Sequence, residues 1–335
     1  MGGRQSFYSM THTTTQNTAH NIRNIKHNMT ILVLLESPAK ISKVEKILGK
    51  GFMVKSSCGH ISDLDKNSLS IDTDNNFKPT YKTYSDKSSI INDLKRSYSK
   101  CDEIILACDY DREGESIAWH VAETLKVPEK DRKRLLFTEI TKKGIDKGMK
   151  NLRPIDMNMF YAQQARRIID RLIGYKLSPI LWSNIQSSFK KGASLSAGRV
   201  QSVVTRLIIE REREIAKFAS SSFYKTLGKF TKGDDLIASE LSVNYDTREK
   251  VRNFMEKCKD SEYKILEIKK KTSTRKPSAP YITSTIQQDA STRFRMSPKV
   301  TMNALQKLFE AAKITYHRSD STVLSAEAQD NIEKN

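Results

Sequence analysis

Glu103-Ile104-Ile105-Leu106-Ala107-Cys108-Asp109-Tyr110-Asp111-Arg112-Glu113-Gly114-Glu115 is the stretch on which the fold turns. Ile104 to Cys108 form a continuous apolar run of strand length, the pattern of a strand buried on both faces of a parallel sheet, and the run breaks off into acids. A helical spacing follows at Ile117, Ala118, Val121 and Leu125. Upstream, Ile31-Leu32-Val33-Leu34-Leu35 repeats the arrangement. It ends in Glu36-Ser37-Pro38, leads into helical spacing at Ile41, Val44, Ile47 and Leu48, and meets Gly49 as a stop. Strand, polar turn and helix, occurring twice, predict an α/β domain with a mainly parallel sheet and a site at the carboxyl ends of its strands.

Outward from this core the character changes. From about residue 155 the pattern is helical: Ala165, Ile168, Ile169, Leu172 and Ile173 form one stripe, with Arg166, Arg167, Asp170 and Arg171 opposite. A second helix is expected from about Val200 to Ala216, after the small, basic loop 190–199. Short strands are expected across 221–270. A linker-like stretch, Lys271 to Pro277, precedes further helix at Met302, Leu305, Leu308 and Phe309. Residues 1–28 contain no acid and no apolar signal core, and read as a disordered basic extension; a transit peptide and a start at Met29 both fit them.

The chain has 335 residues, enough for two or three domains, and a formal net charge of +19, which favours a polyanionic partner. No apolar run approaches the roughly 20 residues that span a bilayer, so a membrane protein is not expected. Four scattered cysteines without a C-x-x-C pair argue against a zinc ribbon and for reduced thiols, hence an intracellular, non-secreted protein; cytoplasm, nucleus and viral factory are left open.

The acids carry the chemistry. If the backbone stays extended past the strand, Asp109, Asp111 and Glu113 point to one side, and three hard oxygen ligands suit Mg²⁺. In the competing reading they cap the next helix. A strand ending in aspartate also suits an ATPase, but G-x-x-x-x-G-K-[ST] is absent from the chain.

Leu35-Glu36-Ser37-Pro38-Ala39-Lys40 together with Asp109 to Glu115 resembles the Toprim domain. Gln163 to Tyr175, Leu195-Ser196-Ala197-Gly198-Arg199-Val200-Gln201-Ser202, Thr283 to Gln288, and Lys313-Ile314-Thr315-Tyr316-His317-Arg318-Ser319-Asp320-Ser321 resemble, in order, the signature segments of bacterial-type type IA DNA topoisomerases. The likeness spans about residues 29–335. It implies a Toprim domain at 29–153, a helical DNA-groove segment at 154–217, a β-rich arch segment at 218–276 and the start of the nucleophile domain at 277–335.

The same resemblance implies roles. Tyr316 matches the nucleophile that forms a 5′-phosphotyrosine and makes resealing possible without ATP. Arg318 and Lys40 match cations for the scissile phosphate. Glu36 matches a proton donor to the leaving 3′-oxygen, with a share in Mg²⁺ binding beside Asp109, Asp111 and Glu113 as the alternative. Arg166, Arg167, Tyr175, Ser196, Arg199 and Gln201 match positions lining a groove for single-stranded DNA; a solvated helix face with an Arg166–Asp170 pair is the plainer reading. His60, in Cys58-Gly59-His60-Ile61, matches a family segment near the site, with no role attached.

The implied substrate is the single-stranded segment of underwound duplex DNA, and the implied cofactor is Mg²⁺. Only 19 residues follow Tyr316, whereas the family's nucleophile domain continues well beyond it, so the gate is expected to be incomplete and a complementary C-terminal chain is a candidate partner. The segment 186–194 reads as expanded. The rivals are a Toprim primase or nuclease, which has no use for Tyr316, and a truncated module that binds single-stranded DNA without cutting it.

Overall fold

Our computed structural model describes residues 29–185 and 195–334; the basic extension and the expanded 186–194 segment lie outside them. The chain opens with β1 (Ile31–Leu35), α1 (Ile41–Leu48) and β2 (Phe52–Ser56). A 3₁₀ turn at Pro38–Lys40 leads into α1, and Gly49, at φ 78°, ends it in a conformation that a residue with a Cβ adopts at a cost. Next come β3 (Ser62–Leu64), β4 (Ile71–Asp72), β5 (Lys78–Pro79) and β6 (Tyr81–Thr83), which form two small antiparallel pairs, β3 with β6 and β4 with β5. They are followed by α2 (Ser88–Tyr98), β7 (Glu103–Leu106), α3 (Arg112–Leu125), β8 (Lys133–Arg134), α4 (Lys142–Lys150), β9 (Arg153–Pro154) and α5 (Met157–Asn184).

The main sheet runs β2-β1-β7-β8-β9, parallel except for the last pairing. Strand alternation decides which side each residue serves. Ile31, Val33 and Leu35 pack with Val44 and Ile105 on one face. Leu32 and Leu34 pack with Ile104, Leu106, Ile117 and Val121 on the other. Both faces of β1 are therefore dry, which is why its sequence shows no polar alternation. The first of these clusters also includes Phe309 and Tyr316 from far along the chain.

After α5 come α6 (Arg199–Lys217), β10 (Leu227–Lys232), β11 (Asp235–Glu240), α7 (Arg248–Cys258), α8 (Thr283–Phe294), α9 (Pro298–Glu310) and α10 (Ala326–Glu333). Residues up to Arg199 and from Ala279 onward form one compact unit, and Val200–Ser278 form another. Arg199 is thus the last residue of the first unit before the chain enters the second.

In the second unit the strands expected across 221–270 reduce to one antiparallel hairpin, with Leu227 opposite Glu240. Residues 248–258 are helical instead. Val251, Phe254, Met255 and Cys258 repeat at helical spacing, and the Thr247 side chain caps the Lys250 amide.

The helix expected around 162–174 is α5, 28 residues long, and burial does not divide it into a dry apolar stripe and a wet polar face: Ile168, Leu172 and Ile173 are half-buried, as are Asp170 and Arg171. Phe160 and Gln163 are buried, and Arg167 is half-buried. Ala165 and Ile169, from the apolar stripe, are exposed. Part of the polar face is drawn in because two of its cations find partners there: Arg167 pairs with Asp63, and Arg171 donates to the backbone oxygens of Leu64, Asp65 and Ser68, while Arg166 is exposed.

Candidate active site

The acid turn is built by the end of β7 and the start of α3. Asp111 is still extended, as the expected alternation requires, but the helix begins at Arg112, so the alternation does not reach Glu113. Asp111, at φ −147° and ψ 180°, is the N-cap residue of α3, and its Oδ1 accepts the Gly114 amide at 2.8 Å. Glu113 consequently lies in the first helical turn and faces elsewhere. The capping reading and the site reading both apply to Asp111, since its other oxygen is used differently.

That oxygen, Oδ2, accepts a hydrogen bond from Tyr316 Oη at 2.5 Å and one from Arg318 Nη1 at 3.1 Å. Residues 316 and 318 therefore meet the acid turn from the same side, as an extended segment requires. The segment is held on both flanks. Tyr316 N donates to Thr138 O at 2.7 Å, while Thr283, at the start of α8, donates from its hydroxyl to His317 O and from its amide to Ser319 O. Burial, then the neighbouring Asp111 carboxylate, pushes the Tyr316 phenol well above its ordinary pKa, so the tyrosine stands protonated.

Lys40 differs from the expectation of a cation open to phosphate: it is fully buried and ion-paired with Asp109. Glu36 closes the cluster. Burial, followed by the charges of Asp109 and Asp111, pushes its carboxyl up to about 7, against the opposing pull of Lys40 and His60. A carboxyl raised above its usual 4.5 favours the folded state when protonated; that contribution is complete below about 4.5 and lost as pH rises through about 7. In chelator-containing buffer, Glu36→Gln is accordingly expected to gain thermal stability relative to the parent as pH rises from 4.5 to 7, with the difference level above. A difference that is flat across this window would remove Glu36 from the acid cluster.

Glu113 serves a second pocket. Its Oε2 contacts His60 Nε2 at 3.0 Å and accepts from Gln163 Nε2 at 3.1 Å, and the His60 bond holds the carboxyl below its usual range. This polar cavity of about 320 Å³ is lined among others by Asp63, Tyr81, His120, Arg166 and Arg167. Burial pushes His120 down to about 4, so it is neutral near pH 7.

The expected groove residues are not gathered into one free cationic track. Arg167 grips Asp63 with two nitrogens, and Arg199 grips Asp170 at 3.0 and 3.3 Å. Asp170 thus pairs with Arg199 and not, as the plainer reading had it, with Arg166. Tyr175 is exposed and donates to Asn67 O at 3.4 Å; Ser196 precedes α6, and Gln201 sits in its first turn. Neither Asp63 nor His120 carries a spacing signal in the sequence, and Gln163 stood there only as the first residue of a motif, although its place two turns from the helix start puts it on the face of Asp156.

The donors suit a hard divalent cation in kind. Glu36, Asp109 and Asp111 lie close enough for the two aspartates to raise the glutamate's pKa, a repulsion that a cation would relieve. Their present partners are internal, and among the described residues no group of three His, Cys, Asp or Glu side chains is arranged to hold a metal ion.

Comparison with known proteins gives a consistent picture. A family model described as the Toprim domain matches residues 31–140, and one described as DNA topoisomerase matches residues 154–335. A protein of Acanthamoeba polyphaga mimivirus named DNA topoisomerase 1 type prokaryotic is 43% identical over 330 residues, covering 91% of this chain and 38% of that protein. The solved structure of full-length topoisomerase I from Thermotoga maritima matches with a TM-score of 0.77 and 35% identity, over 90% of this chain and 52% of that one. The chain spans about half or less of the length of these relatives.

Proposed function

Since the chain belongs to the type IA DNA topoisomerase family, we propose that its first unit carries out the family's strand cleavage and resealing, with Tyr316 as nucleophile on single-stranded DNA. The observation that carries this reading is the 2.5 Å bond between Tyr316 Oη and Asp111 Oδ2, which joins residues 205 positions apart at the end of the sheet.

Tyr316 Oη forms a bond to the scissile phosphorus as the bond from phosphorus to the 3′-oxygen breaks. Asp111 Oδ2 is placed to accept the phenolic proton. Glu36, half protonated near pH 7, is suited to give a proton to the departing 3′-oxygen and to take it back on resealing. The phosphodiester is conserved as phosphotyrosine, so resealing needs no nucleotide. Arg318 offers its guanidinium to the charge developing on the phosphate. A bound Mg²⁺, held by Glu36, Asp109 or Asp111, would neutralise charge at the acid cluster.

A denaturant-stable product assay tests the reading. The 5′-phosphotyrosine linkage leaves the 3′ fragment on the protein, so a 3′-labelled oligonucleotide should migrate with the polypeptide and a 5′-labelled one should not. Free ends alone would favour a nuclease, and binding without cleavage a binding module.

We assign the approach of the strand to the Arg167 and Arg199 region. Each of these arginines has to exchange a carboxylate for a phosphate. Arg167→Ala and Arg199→Ala are therefore expected to weaken oligonucleotide binding and to reduce the log–log salt slope by roughly 0.7 for each phosphate left without its cation. Unchanged slopes in both variants would leave these arginines as internal ion pairs only.

A further inference from the structure

Past Leu106 the acid turn leaves the sheet ladder, whose pairing with β8 ends at Leu106 opposite Arg134. Buried carbonyls beyond that point need donors from elsewhere. Arg134, fully buried, supplies them. Its Nη1 donates to Cys108 O at 3.1 Å and its Nη2 to Asp109 O at 3.2 Å, while Nη1 also donates at 2.7 Å to Leu106 O, the last ladder carbonyl, which accepts the Leu135 amide as well. The fork is completed by Glu115, also fully buried, whose Oε2 accepts from Nε at 3.1 Å and lies 3.0 Å from Nη2.

Glu115 has a second duty. Its Oε1 accepts the Asp156 amide at 2.7 Å, and Asp156 in turn caps α5 through the amides of Asn158 and Met159. Seven residues on, two turns along the same face, Gln163 bonds to Glu113. The helix that presents Arg166, Arg167 and Tyr175 is thus fastened twice to the turn that presents Asp109 and Asp111. The backbone oxygen of Asp109 is held by Arg134 while its side chain is held by Lys40, so a displacement at Arg134 reaches the acid cluster directly.

We propose that Arg134 and Glu115 are positioning residues for strand cleavage: one buried ion pair fixes the carbonyls of the acid turn and locks that turn to the start of α5. The proposal rests on the topoisomerase reading for its reaction, and its geometry can be tested apart from that reaction.

The test uses the full chain with Arg134→Lys and Glu115→Gln. Lysine keeps the charge but loses the fork, and glutamine keeps an acceptor for Asp156 but loses the charge. Tb³⁺, a hard oxygen-seeking probe excited through nearby tyrosines, reports on the acid cluster without turnover. In folded variants the Tb³⁺ dissociation constant should rise about tenfold, as for other groups that orient metal ligands, with tyrosine-linked DNA reduced by a similar factor and oligonucleotide affinity within twofold. Parent-like Tb³⁺ affinity in either folded variant overturns the proposal. So does a Glu115→Gln chain that loses cooperative unfolding, Tb³⁺ and oligonucleotide binding together, because the pair would then only hold the fold. Should Arg134→Lys not fold, Glu115→Gln decides. If the parent yields no tyrosine-linked DNA, the functional reading fails, and the Tb³⁺ shift still decides the positioning role.

Discussion

Tyr316→Phe is expected to abolish tyrosine-linked DNA, a loss of at least about a thousandfold, while oligonucleotide binding stays within about twofold. The substitution removes one oxygen and leaves the ring's surroundings in place. Phe309 lies edge-on at 5.2 Å and His317 at 5.4 Å, and the backbone amide keeps its bond to Thr138. Asp111 loses one donor and retains Arg318 and the Gly114 amide, so the fold should change by only about 1–2 kcal/mol. The check is a denaturing gel with 3′-labelled oligonucleotide beside a thermal melt. A persistent adduct would transfer the nucleophile to another residue, with Tyr110 and Tyr281 the first to test.

Gly114→Ala should be nearly as damaging without touching any group that reacts. A Cβ built at Gly114 would stand 2.1 Å from Asp109 O and 2.9 Å from Asp109 C and N. All three are backbone atoms and cannot rotate away. Either α3 or the acid turn must move, at a cost of about 1–3 kcal/mol or more. Because near-attack geometry tolerates little displacement, adduct formation should fall roughly a hundredfold. Gly148→Ala is the control. Its Cβ would press on Leu136 O at 2.5 Å and Leu135 Cδ1 at 2.6 Å, and none of its three nearest atoms belongs to the acid turn, so it should lower the melting temperature and leave adduct per folded molecule largely intact. Equal adduct losses in both variants would show that only stability had been measured.

Two features explain why part of the site was visible before the fold. β1 and β7 announce themselves because a strand dry on both faces must be apolar throughout, and the acids stand out because nothing apolar shields them in the sequence. The order of the motifs was enough to single out Tyr316. Nothing local, by contrast, shows that Arg134 is buried. Its neighbours Lys133 and Arg132 look the same in sequence, and only the end of the β7 ladder gives it carbonyls to hold.

The sequence by itself determined the parallel sheet, the helices at 41–48, 112–125, 157–184 and 199–217 in outline, the acids at the strand ends and the family. These depend on periodicity and on residue order, which short-range sterics and burial impose along the chain. Tertiary structure alone decided that Glu113 bonds to His60 and Gln163. It also decided that Lys40 is spent on Asp109, that Arg167 and Arg199 are paired with Asp63 and Asp170, and that Arg171 of α5 turns in to the carbonyls of residues 64–68. Each of these depends on a partner tens of residues away. A charged side chain goes where its desolvation is compensated, and the chain's own spacing says nothing about where that compensation lies.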